Sequence, residues 1–237
     1  METEIKIGTS LQRLIDMLHA EEDMNVNKAA EIVANAKVQL EDLVPYADFD
    51  HPLEDGYGRK MVYDCGRFEV MVMSWLPGDF SSVHNHGYTE WGAVQVFGHA
   101  QHNIYAETKD LFVLSKQETL TAGSIAKVNN KLIHQMGNNS SSRYLTLHLY
   151  GANTRSEEVT ADSKIYELEN GLIKHTTGGA FHDLPDSLVY DHEDLGPVDN
   201  NTYIYYSTIL LRYYNRIGTN DAIEKRNRIL EKMKAIS

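Results

Sequence analysis

The 237-residue chain is 42% apolar, enough for a real core and unlike a disordered or fibrous chain, and its length fits one domain with additions or at most two small ones. Its 34 acidic against 22 basic residues leave a formal charge of −12, which disfavours non-specific nucleic-acid and anionic-membrane binding, since both begin with excess positive charge. Cys65 is the only cysteine, so an intrachain disulfide and any cysteine-ligated zinc or iron–sulfur centre are excluded, and a metal would need nitrogen and oxygen ligands.

No apolar run approaches a membrane span and the N-terminus lacks a signal-peptide pattern, so a reducing cytoplasm is the expected setting. Leu11, Leu14, Ile15 and Leu18 mark one face of a helix over residues 10–20, with Ser10 as its cap. Ala30, Val33, Ala34, Val38 and Leu40 repeat the signal over residues 27–43, until Val44-Pro45 ends it. Both helices are expected to pack against a sheet. From Tyr57 the texture changes to short runs rich in β-branched and aromatic residues, at 59–63, 68–75, 91–98, 102–105, 111–114, 118–121, 124–128 and 143–150. Strands at this spacing, with polar turns between them, indicate a mainly β chain with an antiparallel sandwich or barrel. One more hairpin is expected at residues 165–175, turning at Glu169-Asn170-Gly171. Residues 186–201 are acidic and irregular and read as a linker, 203–217 fit helix or strand, and Ala222 to Met233 carry a helical stripe. The resulting division is a helical segment at 1–50, a β domain at 51–185, and a linker with a helical extension at 186–237.

Two places carry chemistry. His84 and His86 are one residue apart in a run of turn and strand, and residues i and i+2 of a strand share a face. Their imidazoles can therefore aim at one point, the local geometry a metal requires. Thr146, His148 and Tyr150 alternate along another strand, so a hydroxyl, an imidazole and a phenol line one face. Burying three such groups is costly unless they bond one another, which makes them a candidate relay.

The surrounding spacing is similar to the two cupin patterns. Gly78, five residues, His84-x-His86, three residues and Glu90 fit the first, with Gly98 one position late. Gly123, Asn129, Lys131, His134 and Asn138 keep the spacing of the second, with Asn and Lys where Pro and Gly are usual. With the relay and the upstream Tyr57-Gly58-Arg59, the chain resembles the cysteine dioxygenase family of thiol dioxygenases over roughly residues 57–184. The resemblance implies a cupin double-stranded β-helix with N-terminal helices and a helical C-terminal extension. It implies one Fe(II) per chain on His84, His86 and His134, with Thr146 in place of Ser beside His148 and Tyr150. It implies that Arg59, with Tyr57, grips a substrate carboxylate, and that Ile165 to His175 and Gly178-Gly179-Ala180-Phe181 form the late β region. The partners implied are a small thiol, best L-cysteine and next 3-mercaptopropionate, and O2, with no nucleic acid or membrane. Oligomeric state stays open between monomer and small homo-oligomer.

Two departures stand out. Animal members carry a cysteine after the second histidine that links to the relay tyrosine; here Thr89-Glu90-Trp91-Gly92 stands there and Cys65 lies elsewhere, so the link is expected to be absent. Glu90 could serve as a fourth ligand on manganese or iron, which would favour a different cupin enzyme with a non-thiol substrate. A non-catalytic cupin binding module is the third reading. His99, His102, His175 and His182 are read as surface or structural residues.

Overall fold

A computed structural model describes residues 5–154 and 158–236 of the chain. Helices α1 (Thr9–His19), α2 (Val26–Ala36) and α3 (Leu40–Leu43, continuing into a 3-10 turn at Val44–Tyr46) come first. Strands β1 (Gly58–Asp64), β2 (Phe68–Trp75), β3 (Val83–His84), β4 (Trp91–Val96), β5 (Ala100–Glu107) and β6 (Phe112–Leu120) follow. Then come β7 (Ile125–Val128), β8 (Ile133–Gly137), β9 (Tyr144–Gly151), β10 (Ser163–Glu167), β11 (Leu172–Thr176) and β12 (Val189–Asp194). Helices α4 (Asn200–Ile217) and α5 (Asn220–Ile236) end the chain. The strands form two sheets, in the orders β1-β2-β9-β4-β7 and β12-β11-β10-β3-β8-β5-β6, and every strand-to-strand ladder is antiparallel. This is a mainly β double-stranded β-helix with helices towards both ends of the chain.

Strand period explains where the site can lie. On β9, Leu145, Leu147 and Leu149 pack with Leu11, Leu14, Ile32 and Val33 of α1 and α2, while Thr146, His148 and Tyr150 alternate onto the opposite, inner face. β2 repeats the division: Phe68, Val70 and Val72 face the helices, and Met71, Met73 and Trp75 face inward. The other sheet is covered from outside by α4 and α5, where Tyr203, Tyr206, Leu210 and Tyr213 pack on Tyr105, Phe112, Tyr166 and Ile173. The central strands of both sheets therefore have two buried faces, and the space between the sheets can hold polar groups only if they satisfy one another.

Several local expectations need correction. Ser10 is not the cap of α1; Gly8 holds that position, and the Ser10 hydroxyl donates to Asp42 Oδ2 at 2.6 Å while accepting from Gln39 N. A charged acceptor on α3 outcompetes the helix's own end. The helix expected at 27–43 breaks at Lys37, which is left-handed with φ 48°, so that Val38 can bury and Gln39 can reach Ser10. Asn25 caps α2 instead, accepting from Asn27 N and Lys28 N. The runs at 111–114 and 118–121 are one strand, β6. Residues 186–201 are no plain linker: β12 adds to the edge of β11, and Asp199 caps α4 through Thr202 N at 2.9 Å. Residues 203–217 are helix, ended by Gly218 at φ 69°.

Candidate metal centre

His84 ends β3, a two-residue strand wedged between β10 and β8, and its Cα partner on β8 is His134. Directly opposed residues share a face, so register alone brings together two imidazoles fifty positions apart. His86 lies just past the strand. Asn85 holds that stretch extended by exchanging bonds with Lys164 through its backbone N–H and its side-chain oxygen. Gly87 then turns the chain with φ 52°, where a Cβ would stand 1.9 Å from the Ala161 carbonyl. The ligand nitrogens of His84, His86 and His134 all lie within 4.8 Å of one another, and the Nε2 atoms of His86 and His134 are 3.1 Å apart. Among the described residues this is the one group of His, Cys, Asp or Glu side chains so arranged.

Burial pushes the His84 imidazolium down to about 4 and those of His86 and His134 well below their usual range, and the rings disfavour each other's charge further. All three are neutral near pH 7. The His84 Nδ1–H donates to the Ser82 carbonyl at 2.9 Å, which leaves its Nε2 lone pair facing inward. Three neutral imidazoles with converging nitrogens and no carboxylate among them suit a first-row divalent ion such as iron, zinc, copper or nickel. The residues present fit such an ion.

Beside them runs a hydrogen-bonded row anchored at one end by an indole. Trp75 Nε1 is a donor only, and it donates to Thr146 Oγ1 at 2.9 Å. Thr146 Oγ1 lies 2.7 Å from His148 Nε2, and His148 Nδ1 lies 2.7 Å from the Tyr150 oxygen, so one imidazole bridges the two hydroxyls. Burial pushes the His148 imidazolium down to about 3, consistent with a neutral ring. Burial also pushes the Tyr150 phenol up, so its proton stays on. Tyr150 packs against His86 with ring centroids 5.3 Å apart.

A small cavity of about 20 Å³ is lined by His84, His86, Tyr150, Tyr57, Arg59 and Thr160. Arg59 Nε donates to Met71 Sδ at 3.0 Å and Nη1 to the Gly178 carbonyl at 3.1 Å, and it makes no ion pair among the described residues. A guanidinium held by neutral acceptors keeps its charge available for an incoming carboxylate. Tyr57 is buried and stacked between Trp75 and Phe181 at 5.0 and 4.9 Å, with its hydroxyl accepting from Ala180 N. Its visible work is to hold the cavity wall from 178 to 181. Glu69, directly across β2 from Tyr150, is a further inner-face carboxyl, pushed up by burial and held back by Arg59, with the Thr160 hydroxyl 3.3 Å away.

Glu90 turns away from the three histidines: Oε2 accepts from Asn153 N at 2.7 Å and Oε1 from the Thr154 hydroxyl. Cys65 is exposed in the β1–β2 turn while Tyr150 is buried inside, so the pair is not linked. Of the four histidines read as surface or structural, His99 is exposed, His175 bonds Asp162 and Glu193, and His182 packs on Tyr213. His102 is structural rather than surface: it is buried, with Nε2 2.8 Å from His134 Nδ1 and Nδ1 3.0 Å from Glu118 Oε1. Sequence reasoning missed His102, Glu118, Glu69 and Trp75. The polar run Gln101-His102-Asn103 inside a strand was the one available signal.

A family model described as cysteine dioxygenase type I matches residues 3–155, which takes in the N-terminal helices, the three histidines and the relay, and stops before the β10–β11 hairpin. Human cysteine dioxygenase type 1 is 25% identical over 158 residues, covering 63% of this chain and 78% of that protein. The bovine protein of the same name is 27% identical over 157 residues, covering 62% and 77%. With that match running over most of its length, the chain belongs to the cysteine dioxygenase type I family and is a dioxygenase.

Proposed function

We propose that the chain is an iron-dependent thiol dioxygenase whose substrate is a short thiol acid, with L-cysteine preferred over 3-mercaptopropionate. In the overall reaction the thiol sulfur takes both atoms of O2 and becomes a sulfinic acid; the sulfur is oxidised and dioxygen reduced, with no further reductant. The observation that carries this reading is the single cavity shared by two of the three converging histidines, an Arg59 without an ion pair among the described residues, and the Tyr150 phenol held by His148.

Fe(II) held by His84, His86 and His134 would supply open positions for a thiolate and for dioxygen. Arg59 binds the substrate carboxylate through its fork of N–H donors and so fixes where the thiol lies. Tyr57 and Phe181 keep that wall in place. Tyr150 donates its hydroxyl proton as a hydrogen bond to the reacting end of the substrate, and His148 holds the phenol in the required rotamer. Trp75, donating to Thr146, anchors the far end of the row that holds the phenol. The reading with Glu90 as a fourth ligand is disfavoured by its bonds to Asn153 and Thr154. A binding module without turnover would have no use for an oriented phenol beside the ligands.

Paired kinetics on L-cysteine and 3-mercaptopropionate, for wild type and Arg59→Ala with matched iron content, test the assignment. Losing a charge-assisted bidentate contact should lower kcat/KM for cysteine about a hundredfold, an effect of about 2–4 kcal/mol with the substrate carboxylate left unpaired. Equal cysteine turnover by both proteins removes Arg59 from the site. A wild-type preference for 3-mercaptopropionate overturns the substrate and leaves the reaction class standing.

A further inference from the structure

The three histidines are supported differently from behind. His84 leans on a backbone carbonyl, which accepts and nothing else. His134 leans on another imidazole, which can donate or accept, so its protonation pattern is not settled by its nearest neighbour. What settles it lies one step further out. In the larger sheet the order β3-β8-β5-β6 sets Glu118 opposite His102, and His84 opposite His134, with His102 and His134 diagonal neighbours across β5 and β8. The result is a polar row crossing four adjacent strands, from a partly exposed carboxylate at the rim to the centre of the barrel.

The direction of its bonds follows from the outer end. Glu118 Oε2 takes Lys116 Nζ at 2.5 Å, and this contact with that from His102 holds the carboxyl below its usual range, so it is ionised and can only accept. His102 must therefore carry its proton on Nδ1 and donate to Glu118 Oε1. In the neutral ring Nε2 is then an acceptor, and it takes the proton on His134 Nδ1. His134 Nε2 is left with a lone pair directed at the other ligand nitrogens. The opposite tautomer would present an N–H there and could hold no ion. A buried imidazole pair also costs desolvation that an apolar pair at these positions would not, which argues for a role beyond packing.

We propose that His102 and Glu118 are positioning residues that fix His134 as an Nε2 ligand and bring negative charge to the metal from the rim of the sheet. This rests on the reading of His84, His86 and His134 as metal ligands. Such outer partners of a ligating histidine set both affinity and electron density at the metal.

The test is anaerobic titration of the metal-free full chain with Co(II), and separately with Fe(II), for wild type, Glu118→Ala, Glu118→Asp and His102→Leu. Apparent affinity should fall roughly 10–100-fold in His102→Leu and about tenfold in Glu118→Ala, with Glu118→Asp close to wild type. The metal-free Glu118→Ala protein should fold but melt somewhat below wild type, because the buried His102 Nδ1–H loses its acceptor. The ferric/ferrous midpoint potential should rise in Glu118→Ala, since loss of the charge favours the reduced ion; a purely structural role would not move it. Folded Glu118→Ala with wild-type affinity and potential overturns the proposal, and decides it even if His102→Leu does not fold. A wild-type protein that takes up neither ion overturns instead the metal-site reading on which it stands.

Discussion

The two faces of β9 are equally buried and do opposite things. Leu145, Leu147 and Leu149 face α1 and α2 and make no demand beyond fit; Thr146, His148 and Tyr150 face the cavity and must each find a partner. Burying a leucine contributes about 1.5–3 kcal/mol, whereas a hydrogen bond inside a protein nets about 1 kcal/mol after desolvation. Stability therefore resides mainly on the outer face, while the residues proposed to act in turnover lie on the inner one. A single strand separates them by nothing more than alternation.

The inner face should break first in turnover. Tyr150→Phe removes the hydroxyl and leaves His148 Nδ1 without its partner. Turnover of an iron-loaded protein should fall about 10²–10⁴-fold, the usual reach of a positioned proton donor. Metal content should stay at the wild-type level, and stability should drop by only about 1–3 kcal/mol. A variant that melts far earlier but turns over normally would reverse the division of labour.

The outer face should break first in stability. Leu147→Ala leaves a cavity under the helices and should cost about 2–5 kcal/mol, read by denaturant unfolding. Activity per folded molecule should be nearly unchanged, since the side chain packs towards the helices and away from the relay and the three histidines. A comparable loss of kcat in fully folded protein would mean that the two faces are coupled through the strand.

A smaller effect sharpens the comparison away from the barrel interior. Glu169, in the β10–β11 turn under α4, has its carboxyl pushed up to about 7 by burial and by Glu167, with Tyr206 donating to it. A carboxyl raised in the folded state contributes stability in full below its unfolded value near 4.5, and that contribution is lost as pH rises towards 7. Glu169→Gln should therefore be neutral at pH 5 and stabilising by about 1–3 kcal/mol at pH 8. Melting curves at the two pH values check it, and a variant less stable than wild type at pH 8 would contradict the account.

Alternation is also why so much of this molecule was legible. His84-x-His86 and Thr146-x-His148-x-Tyr150 can be read because a strand of period two puts them on one face whatever it pairs with. Which face is inside cannot be read that way; it follows from helices α1 and α2 covering the leucines. His102 and Glu118 were hidden because their contacts depend on register among β6, β5 and β8, which no local pattern encodes. β12 was hidden for another reason. Its side chains are largely exposed and acidic, so it looks like a linker, and its place in the sheet comes from backbone bonds to β11. The break at Lys37 was likewise a tertiary decision, since lysine is at home in a helix.

The claim at the centre is that this cavity adds both atoms of O2 to the sulfur of a carboxylate-bearing thiol. Mass analysis of the product made from L-cysteine by iron-loaded protein under isotopically labelled dioxygen tests it most directly. The account predicts cysteine sulfinic acid carrying two labelled oxygens, formed in step with oxygen consumption. A sulfinate with oxygen drawn from water, or oxygen uptake with no oxidised sulfur product, would contradict it.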